Sequence, residues 1–137
     1  MTEQTPSQKI EQFLNDAGVF YFATIDGDRP RLRPFGFHML VDDTVYFGLG
    51  TFKDVYKQIQ ANPNVEVCAT CGDTFLRLWG KAVECTNDEL TKKAFEVMPF
   101  LTQIYNEETG YVLGIFKLTD AVAQFRGMLD LKEEYHL

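Results

Sequence analysis

A chain of 137 residues that is 45% hydrophobic, 14% aromatic and 24% charged has the balance of one folded domain, residues 1–137, and excludes a disordered tail. Its net charge of −7 excludes general nucleic-acid binding, which needs a basic footprint to neutralise phosphates. No apolar run reaches the ~20 residues of a membrane-spanning helix, and residues 1–12 are polar where a signal peptide is apolar, so the expected location is the cytoplasm with no membrane partner.

Pro6-Ser7 offers a helix cap, Ile10, Phe13, Leu14 and Ala17 recur at helical spacing, and Gly18 is a stop, which predicts a short amphipathic helix. Residues 19–25 are aromatic and β-branched and run into a tight turn at Asp26-Gly27-Asp28. The return strand is expected over 29–40, and a third strand of the same meander over 44–48. Thr51 and Asp54 have the spacing of a capping box, which predicts a helix from Phe52 to Ala61, closed by Asn62-Pro63. Strands follow over 65–70 and 75–85 around a turn at Gly72-Asp73. A capped helix starts at 86–89 and ends near Pro99, and closing strands cover 111–118 and 122–125. Residues 131–137 are charged and fit no element. Six or seven strands in meander order, with few helices, predict a mainly β (α+β) antiparallel barrel with peripheral helices.

The segment Arg29-Pro30-Arg31-Leu32-Arg33-Pro34-Phe35-Gly36-Phe37 carries the strongest chemical signal. Alternate residues of a strand share a face, so Arg29, Arg31 and Arg33 line up with Phe35 and Phe37. Three guanidinium groups cannot enter an apolar core unpaired; they meet solvent, carboxylates or an anion. Pro34 cannot donate a ladder hydrogen bond and Gly36 admits a close neighbour, which marks an edge or bulged strand. A second segment, Leu49-Gly50-Thr51-Phe52-Lys53, places a hydroxyl and an ammonium at a predicted helix N-terminus, where free N–H groups favour an anion such as phosphate. A solvated arginine face and an ordinary capped helix explain the two segments equally well when each is taken alone. Cys68 and Cys71 have metal or redox spacing, but residues three apart on a strand face opposite sides, and burial as small core residues is the simpler reading. No metal site is expected, and His38 and His136 form no recognisable catalytic pair.

Taken in order, these segments, with Phe20-Tyr21-Phe22-Ala23-Thr24-Ile25-Asp26-Gly27 before them and Asn62-Pro63-Asn64-Val65 and Leu78-Trp79-Gly80-Lys81 after, resemble the pyridoxamine-phosphate-oxidase-like family of FMN-binding split barrels. The resemblance implies a split barrel, an FMN cofactor and a homodimer with the flavin between subunits. It implies that Arg31 or Arg33, with Gly50, Thr51, Phe52 and Lys53, holds the flavin phosphate. Backbone at Pro34-Phe35-Gly36 then faces the isoalloxazine edge, and Trp79 contacts the partner chain's cofactor or is a plain core or interface aromatic. The function implied is an FMN-dependent oxidoreductase acting on a small-molecule substrate, with NADH or NADPH as a candidate electron donor and no assigned protein acid or base. The alternatives are a non-catalytic flavin- or haem-related carrier or sensor on the same barrel, or a barrel whose arginine edge binds another protein. Phe52 stands where relatives often have a second basic residue. Tyr46-Phe47-Gly48 departs from the Tyr-x-His of nitroimidazole-reducing relatives, and the substrate residues of vitamin B6 oxidation are absent, so neither activity is carried over.

Overall fold

The computed structural model describes residues 3–137; of the polar start, Met1 and Thr2 lie outside the described residues. The first element, α1 (Pro6–Ala17), opens on a complete capping box in which the Thr5 hydroxyl accepts from the Gln8 amide and the Gln8 side chain accepts from the Thr5 amide. The cap is therefore Thr5, one residue before the expected Pro6-Ser7, and Pro6 occupies the first helical position, where a missing N–H costs nothing. The remaining elements are β1 (Phe20–Asp26), β2 (Arg29–Phe35), β3 (His38–Val41), β4 (Thr44–Gly50), α2 (Asp54–Ala61), β5 (Asn64–Cys71), β6 (Thr74–Glu84), α3 (Asp88–Val97), α4 (Leu101–Ile104), β7 (Leu113–Arg126) and β8 (Leu131–His136). Among the described residues no helix is long and apolar enough to cross a membrane.

The architecture is an antiparallel split barrel with strand order β2-β1-β5-β6-β7-β4-β3 and β8 added beside β7. The strand expected over 29–40 is two strands. It breaks at Gly36-Phe37, after which β2 pairs only with β1 while β3 pairs with β4. Two strands adjacent in sequence thus end up at opposite edges of the sheet, and the barrel opens between them. Conversely, the closing strands expected over 111–118 and 122–125 are one 14-residue strand, β7. It pairs with β6 along one edge, and along the other with β4 through residues 113–117 and with β8 through 122–126. The charged C-terminal residues 131–136, which fit no element by pattern, become β8 because β7 offers them a free edge.

Alternation fills the barrel with Phe20, Phe22, Phe47, Leu49, Val67 and Leu78, closed by Ile10 and Leu14 of α1 and by Val55 and Ile59 of α2. A second core on the other side of β3, β4 and β7 packs Phe37, Met39 and Ile115 under Leu90, Ala94 and Leu101 of α3 and α4. The β6–β7 ladder shifts register between Trp79 and Lys81, opposite Asp120, which adopts a left-handed φ of 49°. Gly80 sits at this bulge, where an added Cβ would lie 2.8 Å from the Thr119 carbonyl oxygen and 3.0 Å from the Ala121 backbone. Backbone on both sides leaves no room to relax. Gly80→Ala is expected to destabilise the fold by about 1–3 kcal/mol in denaturant unfolding, whereas Gly36→Ala, which meets nothing within 4 Å, is expected to stay within roughly 0.5 kcal/mol of the parent.

Candidate functional site

Strand pairing places Arg33 opposite Phe22 and Arg31 opposite Thr24, on the face that lines the barrel. Arg33 turns inward. Its Nη1 donates to the Phe22 carbonyl at 3.1 Å and to the Thr24 hydroxyl oxygen at 2.9 Å, and its Nη2 donates to Gln58 Oε1 of α2 at 3.0 Å. The Thr24 hydroxyl donates to the same Gln58 oxygen at 2.6 Å. All of these acceptors are neutral. Among the described residues no carboxylate pairs with Arg33, and burial pushes its guanidinium below the usual range, with the charge of Arg31 acting in the same direction. Arg31 stays at the surface, its Nε 3.1 Å from Asp26 Oδ2.

The β4–α2 turn supplies the second half of the site. Lys53, and not Thr51, is the cap of α2, and no side-chain cap bond forms. The expected capping box fails because the Thr51 amide is drawn to the Val112 carbonyl at 2.9 Å and the Lys53 amide to the Gly50 carbonyl at 3.1 Å, which delays the helix to Asp54. Thr51 Cγ2 lies toward Gly114, while its hydroxyl makes no hydrogen bond among the described residues. Lys53 is exposed and forms no ion pair among the described residues. Phe52 folds back over Gly50, where a Cβ would lie 2.5 Å from its ring, and stacks on Tyr111 with centroids 4.0 Å apart.

The other expected residues divide. Phe35 spends its ring on the core, stacked at 4.8 Å on Phe22, and leaves its backbone outward between the exposed Pro34 and Gly36. Trp79 lies on the opposite face of the sheet from Arg33, in the cross-strand row Leu32, Ala23, Glu66, Trp79, Val122, with the Arg77 guanidinium 5.4 Å from its ring. One protomer therefore joins β2 to α2 but does not bring Trp79 to them. Two members of the site, Thr24 and Gln58, went unread in the sequence. Thr24 had a signal, a hydroxyl at the inward position after Phe20 and Phe22; Gln58 had none beyond being polar next to the buried Ile59. His38 serves the fold, with Nδ1 2.5 Å from Glu11 Oε1 and its ring edge-on to Phe20. Burial pushes the Cys68 and Cys85 thiols up.

A barrel left open between consecutive strands defines a split-barrel protein, and an arginine with no carboxylate partner among the described residues stands at its open edge. The family model of pyridoxamine 5'-phosphate oxidase matches residues 6–121, and the chain belongs to that family. No curated protein matches it. Among solved structures, a NimC/NimA family protein from Clostridium acetobutylicum is 28% identical with a TM-score of 0.87, over 97% of this chain and 94% of the other. A pyridoxamine 5'-phosphate oxidase-related, FMN-binding protein from Nostoc punctiforme is 16% identical, with a TM-score of 0.65 over 98% and 92% of the two chains. A haem-binding protein from Mycobacterium smegmatis is 11% identical, with a TM-score of 0.69 over 99% of this chain and 60% of the other.

Replacing the neutral partner by a charged one tests whether the site is tuned for an external anion. Gln58→Glu keeps both acceptor positions and compensates Arg33, so it is expected to raise unfolding free energy by up to about 1 kcal/mol while weakening the binding of any phosphate ligand. Denaturant unfolding and phosphate-ligand titration of the same variant measure the two effects.

Proposed function

We propose that this protein binds FMN at the barrel opening and acts as a homodimeric FMN-dependent oxidoreductase. The observation that carries the reading is Arg33, a half-buried guanidinium held by neutral oxygens alone, beside a second arginine. Such a charge is stabilised by a bound anion, and a phosphate dianion supplies the missing countercharge.

The donor set fits that group. Arg33 and Arg31 approach from β2, Lys53 and the free Thr51 hydroxyl from the β4–α2 turn, and the first N–H groups of α2 add the dipole of a helix start. Carrying a full positive charge, Lys53 offsets the absence of a second basic residue at Phe52. The exposed backbone at Gly36 has open space for a flat ring to approach. Bound FMN supplies the electron-transfer chemistry, and the chain binds, orients and shields it. A second protomer is the natural source of Trp79: Tyr21 and Leu32 stand exposed on the same outward face as Trp79, an apolar surface that suits a partner copy. NADH or NADPH is the proposed electron donor.

The visible spectrum of the purified protein decides the class. Flavin bands, release of FMN on denaturation and bleaching by NADH or NADPH support an oxidoreductase. Flavin bands without reduction, or a Soret band, make the protein a carrier or sensor. Light scattering is expected to give twice the chain mass, and a monomer that holds flavin tightly overturns the shared-site reading.

Arg33→Ala and Lys53→Ala are each expected to weaken FMN by roughly one to two orders of magnitude, since a charge-assisted hydrogen bond is worth about 1.5–3 kcal/mol. Riboflavin, which has no phosphate to lose, should bind Lys53→Ala nearly unchanged, whereas Arg33→Ala also removes the hydrogen bonds to Phe22, Thr24 and Gln58 and is expected to lower stability as well. Because Thr51 does not cap α2, Thr51→Ala is also a clean probe, expected to weaken FMN with little loss of stability. Fluorescence titration of the apo-proteins with both ligands is the measurement; equal losses for both ligands would show fold damage instead of a phosphate site.

A further inference from the structure

The loop between α4 and β7 faces the start of α3 across a cavity of about 790 Å³, within the range of small-molecule sites. Its apolar walls are largely aromatic, with Phe95 from α3, Tyr105 and Tyr111 from the loop, and Leu113 at the head of β7. The wall is preformed. Asn106 donates from its side chain to the carbonyls of Thr102 and Gln103, Gly110 donates to the Asn106 carbonyl at 2.9 Å, and Gly110 takes the φ of 71° that this turn requires.

Two features give the cavity chemical character. Among the described residues the charged ones lining it are acidic, Asp88 and Glu107; Lys92 of α3 does not line it, although it borders an adjoining shallow groove that shares Asp88, Thr91 and Phe95 with the cavity. Tyr105 is 9% exposed, yet its hydroxyl has no hydrogen-bond partner in the described chain. Since no fully buried side-chain polar atom of the described residues goes unsatisfied, that hydroxyl reaches accessible space, and Tyr105 is a wall residue of this cavity. An aromatic box with an acidic rim and a free phenol selects a flat or ring-bearing body with a positive charge, through ring stacking, cation–π attraction and a hydrogen bond.

We propose that the cavity between α3 and the loop before β7 is a binding site for a small aromatic cation of the protonated arylalkylamine class. It adjoins the FMN turn, since its wall residue Tyr111 stacks on Phe52, but it does not depend on flavin being bound.

The test is calorimetric titration of the full chain as purified with three probes of one shape and different charge: phenethylammonium, 2-phenylethanol and 3-phenylpropionate. The cation should bind about tenfold more tightly than the neutral alcohol, as expected for two solvent-screened carboxylates, and the anion should be weakest. In the double variant Asp88→Asn/Glu107→Gln, at two exposed positions and with circular dichroism as the check on the fold, the cation should fall to the affinity of the alcohol. Tyr105→Phe should weaken the cation several-fold without reversing the order. No binding by any probe, equal binding by all three, or a cation affinity unchanged in both variants overturns the proposal. None of these outcomes bears on FMN, which is read separately from the visible spectrum.

Discussion

The hydrogen bonds that converge on Arg33 hold the open side of this barrel together. β2 has a strand partner on one side only, so its attachment to the rest of the molecule rests on the β1 ladder and on this guanidinium, which reaches across β1 to α2. Hydrogen bonds from a charged donor contribute about 1.5–3 kcal/mol each, while taking a charge out of water costs several kcal/mol. Neutral acceptors alone therefore leave the account close to balance, and they leave the charge itself uncancelled. Had residue 58 been a glutamate, the edge would be tied equally well and the positive potential lost. Arg33, Thr24 and Gln58 thus position the edge while leaving the guanidinium charge without a counterion among the described residues.

The opening is written into β2 by its prolines. In the β1–β2 register Pro30, Leu32 and Pro34 share one parity, opposite Ile25, Ala23 and Tyr21. Because proline has no N–H to give β1, this parity is the one whose donors face the free edge, and two of its three donors are missing. A further strand would find almost no ladder to join. The chain then reverses its allegiance at Gly36-Phe37, with Phe35 in the barrel interior and Phe37 in the second core against Gly48. Closure is blocked at the edge while the two neighbouring aromatic rings anchor the chain to different cores.

Local pattern made much of this visible. Helical spacing at Ile10, Phe13, Leu14 and Ala17, the aromatic and β-branched run over 19–25, and turn residues at Gly27 and Gly72 correspond to α1, β1 and the hairpins, and the resemblance supplied the split barrel. What stayed hidden depends on partners distant in sequence. The inward alternation of Arg33, Phe35 and Phe37 continues unbroken through the point where the strand ends, because pairing with β4, not pattern, starts β3. Thr119-Asp120 reads as a turn, yet β7 runs through it by bulging opposite Gly80. The Thr51–Asp54 capping box is sound by spacing and fails because Val112, sixty-one residues on, takes the Thr51 amide first. Gln58 meets Arg33 only because α2 crosses β1 where Arg33 arrives.

Charge placement joins the two candidate sites. The chain is strongly acidic overall, and against that background the basic groups gather at β2 and the β4–α2 turn while Asp88 and Glu107 rim the cavity behind Tyr111. The Phe52–Tyr111 stack, 4.0 Å between ring centres, stands between the proposed anion site and the proposed cation site. Charges of opposite sign on the two sides favour each other, and a phosphate bound at Lys53 and Arg33 makes the neighbouring region more attractive to a cation. By linkage the converse holds to the same degree. The attraction is weakened by ionic strength, since the Debye length is about 8 Å at physiological salt, but its sign is set by which residues stand on each side of one aromatic pair. A cation at position 52 would project charge toward the acidic cavity, whereas the Phe52 ring, stacked on Tyr111, stands between the basic and the acidic groups.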